Sequence, residues 1–200
     1  VRADEPGDVH LPVPHGVRDI ACVEPRLVLE RVGNRLMNDA VNTDTGQRIN
    51  ESLSIELTTR CNSPCKHCFA RAGMAADATL PPEMVSTLIS EGLSNGYRHL
   101  HLTGGEPLLW PGIFDLLVDV FVRGYQAVFL NTNGLLMTDA MAGALARYPN
   151  LAISVSLQGP EALHDRVRGT GSYRQVSRGI AAALDAGLAV TLFAATGKTL

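Results

Sequence analysis

Leu151-Ala152-Ile153-Ser154-Val155-Ser156-Leu157-Gln158-Gly159-Pro160 alternates one residue at a time, with Ile153, Val155 and Leu157 set against Ser154, Ser156 and Gln158. An extended chain puts successive side chains on opposite faces, so this stretch reads as a strand with one apolar and one polar face. His99, His101 and Thr103 alternate with Leu100 and Leu102 in the same way. Parallel strands covered by helices on both sides read instead as nearly continuous apolar runs. The alternation therefore favours a sheet curled around a wet or ligand-filled cavity over a flat, doubly covered one.

Outward from this strand the pattern repeats. Further strand candidates lie at 54–58, 98–103, 127–132 and 188–194, with 151–157 the fourth in order. Helical stripes fall between them. Val85, Leu88, Ile89 and Leu93 follow Pro81-Pro82 and stop at Asn95-Gly96. Ile113, Leu116, Leu117, Val120 and Phe121 follow Pro111 and stop at Gly124. Thr138 can cap a helix carrying Met141 and Leu145, closed by Pro149, and Ser172 one carrying Val176, Ile180 and Leu184, ended by Gly187. Trp110 is expected to pack at the start of the second helix. Strand, helix, strand, repeated, gives a parallel sheet with right-handed crossovers. The expected fold class is α/β, a partial (β/α) barrel of about five β/α units over residues 51–200. Residues 1–50 form an N-terminal extension of irregular and β character: Pro6, Pro12, Pro14 and Pro25 break up regular elements, and a short strand is expected at 26–31. No function is readable in it.

Composition narrows the classes. Of 200 residues 46% are apolar and 18% charged, enough for a sizeable core. Seventeen basic and 20 acidic side chains leave a net charge of −3, with no run of either sign, so nucleic acid is not an expected partner. No apolar stretch approaches the roughly 20 residues that cross a bilayer, and the start lacks a signal peptide's charged-then-apolar order. The opening at Val1 reads as a processed or excised segment. Four cysteines, three of them crowded together, suggest metal binding in a reducing compartment, hence a cytoplasmic location.

Those three follow the first strand directly, in Thr58-Thr59-Arg60-Cys61-Asn62-Ser63-Pro64-Cys65-Lys66-His67-Cys68. A C-x3-C-x2-C loop can wrap one inorganic centre. A four-iron cluster normally takes four thiolates, so with three one iron keeps an open position where chemistry can occur. Cys22 reads as a small buried apolar residue. The alternative is a structural zinc module without catalysis, formed by the three cysteines and His67. The other strand ends are polar as well: Thr103-Gly104-Gly105-Glu106-Pro107, Asn131-Thr132-Asn133-Gly134, and Ser156-Leu157-Gln158-Gly159 followed by a loop with His164-Asp165-Arg166-Val167-Arg168-Gly169. Two glycines at a strand end let a ligand approach bare backbone, and a carboxylate beside them can pair with an ammonium. In parallel α/β folds ligands bind at this carboxyl edge. His99 and His101 share the face of Thr103 and are expected to be hydrogen-bonded core histidines. Gly169-Thr170-Gly171-Ser172 resembles a phosphate loop only superficially.

The cysteine spacing, Gly104-Gly105-Glu106-Pro107, Ser154-Val155-Ser156-Leu157 and the downstream His164-Asp165-x-x-Arg168-Gly169 together resemble the radical S-adenosylmethionine (radical SAM) superfamily over about residues 52–196. The resemblance implies that Cys61, Cys65 and Cys68 ligate a [4Fe-4S] cluster, with SAM on the fourth iron. Reductive cleavage of SAM would yield a 5′-deoxyadenosyl radical that abstracts hydrogen from a substrate. His67 holds the position of an aromatic residue that contacts adenine. Thr103, Gly104, Gly105 and Glu106 would line the methionine amino group, Ser156 would bind the ribose or carboxylate, and Arg168 the SAM carboxylate. The His164–Gly169 segment is most like the branch that modifies peptides or matures peptide-derived cofactors, and a flavodoxin or ferredoxin donor is implied. The superfamily barrel usually has six β/α units, so a sixth unit and any C-terminal cluster domain are expected to lie outside this chain.

Overall fold

The computed structural model describes residues 52–68 and 70–195. The extension expected over residues 1–50, its strand at 26–31, and Cys22 lie outside the described residues. Five parallel strands form one sheet: β1 (Ser52–Glu56), β2 (His99–Thr103), β3 (Ala127–Thr132), β4 (Leu151–Ser156) and β5 (Ala189–Phe193). They are hydrogen-bonded in chain order. Sequential order with right-handed crossovers places every connecting helix on the same face of the sheet. The fold is therefore the α/β, barrel-like arrangement expected from the alternation.

The covered face carries Leu100, Leu102, Val128, Leu130, Ile153 and Val155, all essentially sealed from solvent. Each such side chain contributes about 1.5–3 kcal/mol on burial. Helices α1 (Pro82–Ser94), α2 (Ile113–Arg123), α3 (Asp139–Leu145) and α5 (Ser172–Asp185) pack there through Val85, Ile89, Leu117, Val120, Leu145 and Val176. Thr138 caps α3 as expected, its side chain accepting from Met141 N at 3.2 Å. Trp110 is buried and donates from its indole to Leu80 O at 2.8 Å. The opposite face is polar and half open. Across it Ser54, His101, Phe129, Ala152 and Ala189 stand in register, with the His101 and Phe129 rings stacked at 4.7 Å.

Four local expectations are corrected. β1 lies at Ser52–Glu56 rather than 54–58, because at Thr58 the backbone leaves the ladder: Thr58 bridges to Thr79, and its carbonyl accepts from Gly105 N. The segment read as a loop before Gly169 is a helix, α4 (Glu161–Arg168). Ser172 is the first residue of α5 and does not cap it. Asp165 of α4 takes that task, accepting from Gly171 N at 2.7 Å and Tyr173 N at 2.8 Å. Leu184 is exposed, and the small residues Gly179 and Ala183 take the buried places beside Val176.

Candidate functional site

The cysteine loop crosses the carboxyl edge of the sheet and is tied down on two sides. Toward the segment before α1, Thr59 N donates to Ala78 O (2.8 Å), Gly73 N to Thr59 O (3.1 Å) and Cys61 N to Gly73 O (3.2 Å). Toward α4, Lys66 N donates to Val167 O at 3.0 Å. All three thiols are free. Each sulfur faces donors: Cys61 receives Ser63 N at 3.4 Å and Asn133 Nδ2 at 3.6 Å, and Cys68 receives Ala72 N at 3.4 Å. Cys65 Sγ lies 3.0 Å from Ser63 Oγ and 3.6 Å from Arg168 Nη1. Burial pushes the Cys61 thiol up, with Ser63 N–H and the Asn133 amide pulling the other way. A thiol in that setting is held as thiolate once a cation binds it.

Gly104 and Gly105 serve the chain itself. A Cβ on Gly104 would strike the Thr58 carbonyl, and one on Gly105 would lie 2.7 Å from Arg60 C and 2.8 Å from Thr59 O. Gly104 also sits at φ 138°, where side chains are strained. The close approach expected for a ligand is thus made by the backbone of the cysteine loop, sealed by Gly105 N to Thr58 O (2.6 Å) and Glu106 N to Arg60 O (2.8 Å). Glu106 turns inward and is fully buried, accepting from Leu108 N (3.2 Å), Thr132 Oγ1 (2.8 Å) and Asn133 N (2.8 Å). Burial raises its carboxyl to about 7 against the pull of those donors. Three of a carboxylate's roughly four acceptor positions are used. Asn133 completes the link, since its Nδ2 also donates to Asn62 Oδ1 at 2.8 Å.

Gln158, past the end of β4, organises the far side. Its Oε1 accepts from Ala195 N at 3.0 Å, which fixes its amide so that Nε2 faces His67 Nε2 at 3.5 Å. An amide nitrogen can only donate, so the His67 proton sits on Nδ1, a buried atom with no hydrogen-bond partner. Burial, then the Arg168 charge, lowers the His67 pKa and keeps the ring neutral. Gln158 N donates to His164 Nδ1 at 3.1 Å, anchoring α4. Arg168, at the end of α4, is 8% exposed and has no carboxylate within ion-pair distance among the described residues; its Nε is buried and unpartnered. A buried cation without a carboxylate in ion-pair reach is costly, so the position could take an anion.

Cys61, Cys65, Cys68, His67, Gly104, Gly105, Glu106 and Arg168 are thus one bonded assembly. Thr103 and Ser156 lie on the open face of β2 and β4, and no hydrogen bond among the described residues ties Ser156 to the cysteine loop. Ser63, Gln158 and the Asn133 amide contact the sulfurs or His67; Ser63 carries no motif of its own, whereas the polar strand ends Ser156-Leu157-Gln158-Gly159 and Asn131-Thr132-Asn133-Gly134 are the signals for Gln158 and Asn133. Among the described residues no three His, Cys, Asp or Glu side chains converge on a point that one ion could occupy. The zinc alternative needs His67 as the fourth ligand, and its Nε2 faces Gln158 Nε2 at 3.5 Å. A cube-shaped cluster takes its thiolates at separate corners, and the N–H and O–H donors around these sulfurs are what iron-bound thiolates accept. The donor set fits such a group.

The chain is similar to known proteins over most of its described residues. The family model described as "Radical SAM superfamily" matches residues 55–199. Mycofactocin maturase MftC of Mycobacterium tuberculosis (strain ATCC 25618 / H37Rv) is 31% identical over 138 residues, 68% of this chain and 35% of that protein. A GTP 3′,8-cyclase of Alkaliphilus metalliredigens (strain QYMF) is 32% identical over 152 residues, 72% of this chain and 47% of that protein. This chain thus spans between about a third and a half of these relatives. Among solved structures, anSMEcpe with bound AdoMet and Kp18Cys peptide superposes with a TM-score of 0.62 at 22% identity, covering 72% of this chain and 42% of that one. Streptococcus suis SuiB bound to precursor peptide SuiA gives 0.61 at 17% identity, over 83% of this chain and 44% of that one. At these identities the structural likeness speaks to the fold.

Proposed function

This chain belongs to the radical SAM superfamily, and from that membership we propose that it carries a [4Fe-4S] cluster on Cys61, Cys65 and Cys68 and uses SAM to modify a peptide. When bound, cluster and SAM supply a one-electron scission that yields a 5′-deoxyadenosyl radical able to abstract hydrogen from a substrate. The protein's part is to hold, orient and keep dry. The cysteine loop presents three thiolates and leaves one corner of the centre for SAM. Arg168 offers its unpartnered Nε to the SAM carboxylate, and the strand end at 103–106 lines the amino group. His67 offers a neutral ring to the adenine, and Ser156, with Thr103 across the open face, a hydroxyl to the ribose. Residues 51–200 would then be the barrel portion that holds the cofactors, with residues 1–50 an extension to it, working in a reducing, cytoplasmic setting with an external flavodoxin or ferredoxin as electron donor.

The observation that carries this reading is the buried Arg168 guanidinium, its Nε without a partner and its Nη1 3.6 Å from Cys65 Sγ, a cation placed where an anionic cluster and a carboxylate would meet. Peptide over nucleoside triphosphate is supported by the open face of the sheet. Its described strand residues, from Ser54 and Glu56 through His101, Phe129, Asn131 and Ser154 to Thr191, include no lysine or arginine to receive phosphates. The structural neighbour SuiB, bound to its precursor peptide SuiA, points the same way. The test is 5′-deoxyadenosine release from SAM under dithionite, with the anaerobically reconstituted chain compared with Cys65→Ala. The reading expects release from the chain and none from the variant; equal release from both overturns it.

A further inference from the structure

Resting on that cluster reading, we propose that Ser63 and Arg168 act on the Cys65 sulfur to set the reduction potential of the iron–sulfur centre, with Asp165 and His164 as positioning residues that hold Arg168 in place. The three sulfurs are not equivalent. Cys68 is met by a backbone N–H, from Ala72, and Cys61 by the Ser63 backbone N–H and a neutral amide at 3.6 Å. Cys65 alone among them faces a hydroxyl, Ser63 Oγ at 3.0 Å, and a charged donor, Arg168 Nη1 at 3.6 Å. Reduction adds one electron, and so one negative charge, to the centre and its thiolates. Donors and a positive charge at a thiolate favour the reduced form more than the oxidised one, so they raise the potential. Arginine keeps its charge throughout, and burial leaves that charge unscreened by solvent.

The setting of Arg168 is built rather than incidental. His164 Nδ1 accepts from Gln158 N at 3.1 Å and fixes the middle of α4 to the end of β4. Asp165 receives Gly171 N, Tyr173 N and, at 3.3 Å, Ser172 Oγ, which turns the chain sharply after Gly169 and locks the helix end. The same helix end grips the cysteine loop: Val167 O takes Lys66 N, and Arg168 O lies 3.4 Å from Ser63 Oγ. The Ser63 hydroxyl has one proton and two acceptors within reach, Cys65 Sγ and Arg168 O. A thiolate, carrying charge, is the stronger acceptor.

The experiment is a potentiometric titration with dithionite, followed by electron paramagnetic resonance, on the anaerobically reconstituted chain without SAM. Omitting SAM removes the carboxylate role of Arg168 from the readout. Iron per chain is measured for the chain and for Ser63→Ala, Arg168→Gln, Asp165→Ala and Asp165→Asn. With iron content equal, Arg168→Gln should shift the midpoint negative, lowering the reduced-to-oxidised ratio at fixed potential by roughly tenfold, ~59 mV for a one-electron couple. Ser63→Ala should shift it the same way by less. Asp165→Ala should reproduce the arginine shift, and Asp165→Asn, which keeps an acceptor for the turn, should restore most of it. Fully loaded Ser63→Ala and Arg168→Gln with an unchanged midpoint overturn the proposal. Failure of the unsubstituted chain to take up iron is a different result, and strikes the cluster reading instead.

Discussion

The helix-covered face of the sheet and its carboxyl edge are held together by different forces. The face is a continuous apolar surface in which Leu100, Leu102, Leu130 and Ile153 do much the same work, and a neighbour's repacking softens the loss of any one. The edge is a chain of single polar bonds: Gly105 to Thr58, Glu106 to Arg60 and Asn133, Asn133 to Cys61, Gln158 to His164, Val167 to Lys66. Each of these has its own partner and no substitute. Stability therefore resides in the face and, on the proposed function, chemistry in the edge, and substitutions should separate the two.

The largest separation is expected at Cys65. Cys65→Ala should abolish iron loading and 5′-deoxyadenosine release while moving the urea midpoint of the metal-free chain by no more than about 1 kcal/mol. The converse is Leu102→Ala, which should cost about 2–5 kcal/mol in urea unfolding yet leave iron per folded chain unchanged. A variant that loses both properties together would merge the two regions and weaken the distinction.

Glu106 joins them, because it belongs to the edge but is as buried as the core. Its carboxyl rises from 4.5 to about 7 in the fold, with burial the main cause. Between those values the folded state holds the extra proton. The contribution is therefore fully present below about pH 4.5 and is lost as pH rises through about 7, with a slope approaching ~1.4 kcal/mol per pH unit. Glu106→Gln should flatten that slope in urea unfolding measured from pH 5 to 7.5. The substitution also replaces one acceptor with a donor facing Asn133 N–H, at about 1–3 kcal/mol. An unchanged slope would mean that the carboxyl does not titrate in this window. The smallest effect is expected for Arg174→Ala, which breaks an exposed pair with Glu161 at 2.8 Å and should move stability by less than about 1 kcal/mol, without altering iron content.

The same division decides what the sequence makes legible. Periodicity reports burial, so all five strands and helices α1, α2, α3 and α5 can be read from it, β1 with an error of two residues. Thr58 looks like a strand residue but ends the ladder, because Gly105 and Thr79 claim its bonds. Helix α4 escapes because its inner side is only half apolar, Leu163 and Val167 standing beside His164 and Arg168, with charge on much of the rest. The motif residues at the edge are visible by type, but their partners are not. Gly104-Gly105 reads as space for a ligand when the space is filled by Thr58–Arg60 backbone, and Ser172 reads as a cap when the capping group is Asp165, seven positions earlier. Ser63 is an ordinary polar residue in any linear reading, and Gln158 is visible only as part of a polar strand end. Their importance comes from what the fold brings within 3.5 Å of them.

Electron paramagnetic resonance of the dithionite-reduced, reconstituted chain, recorded before and after SAM is added, puts the reading to its hardest trial. About four irons per chain and a spectrum that changes on SAM addition are expected, since an iron without a protein ligand takes up the cosubstrate. One zinc per chain, or a cluster spectrum indifferent to SAM, would contradict it.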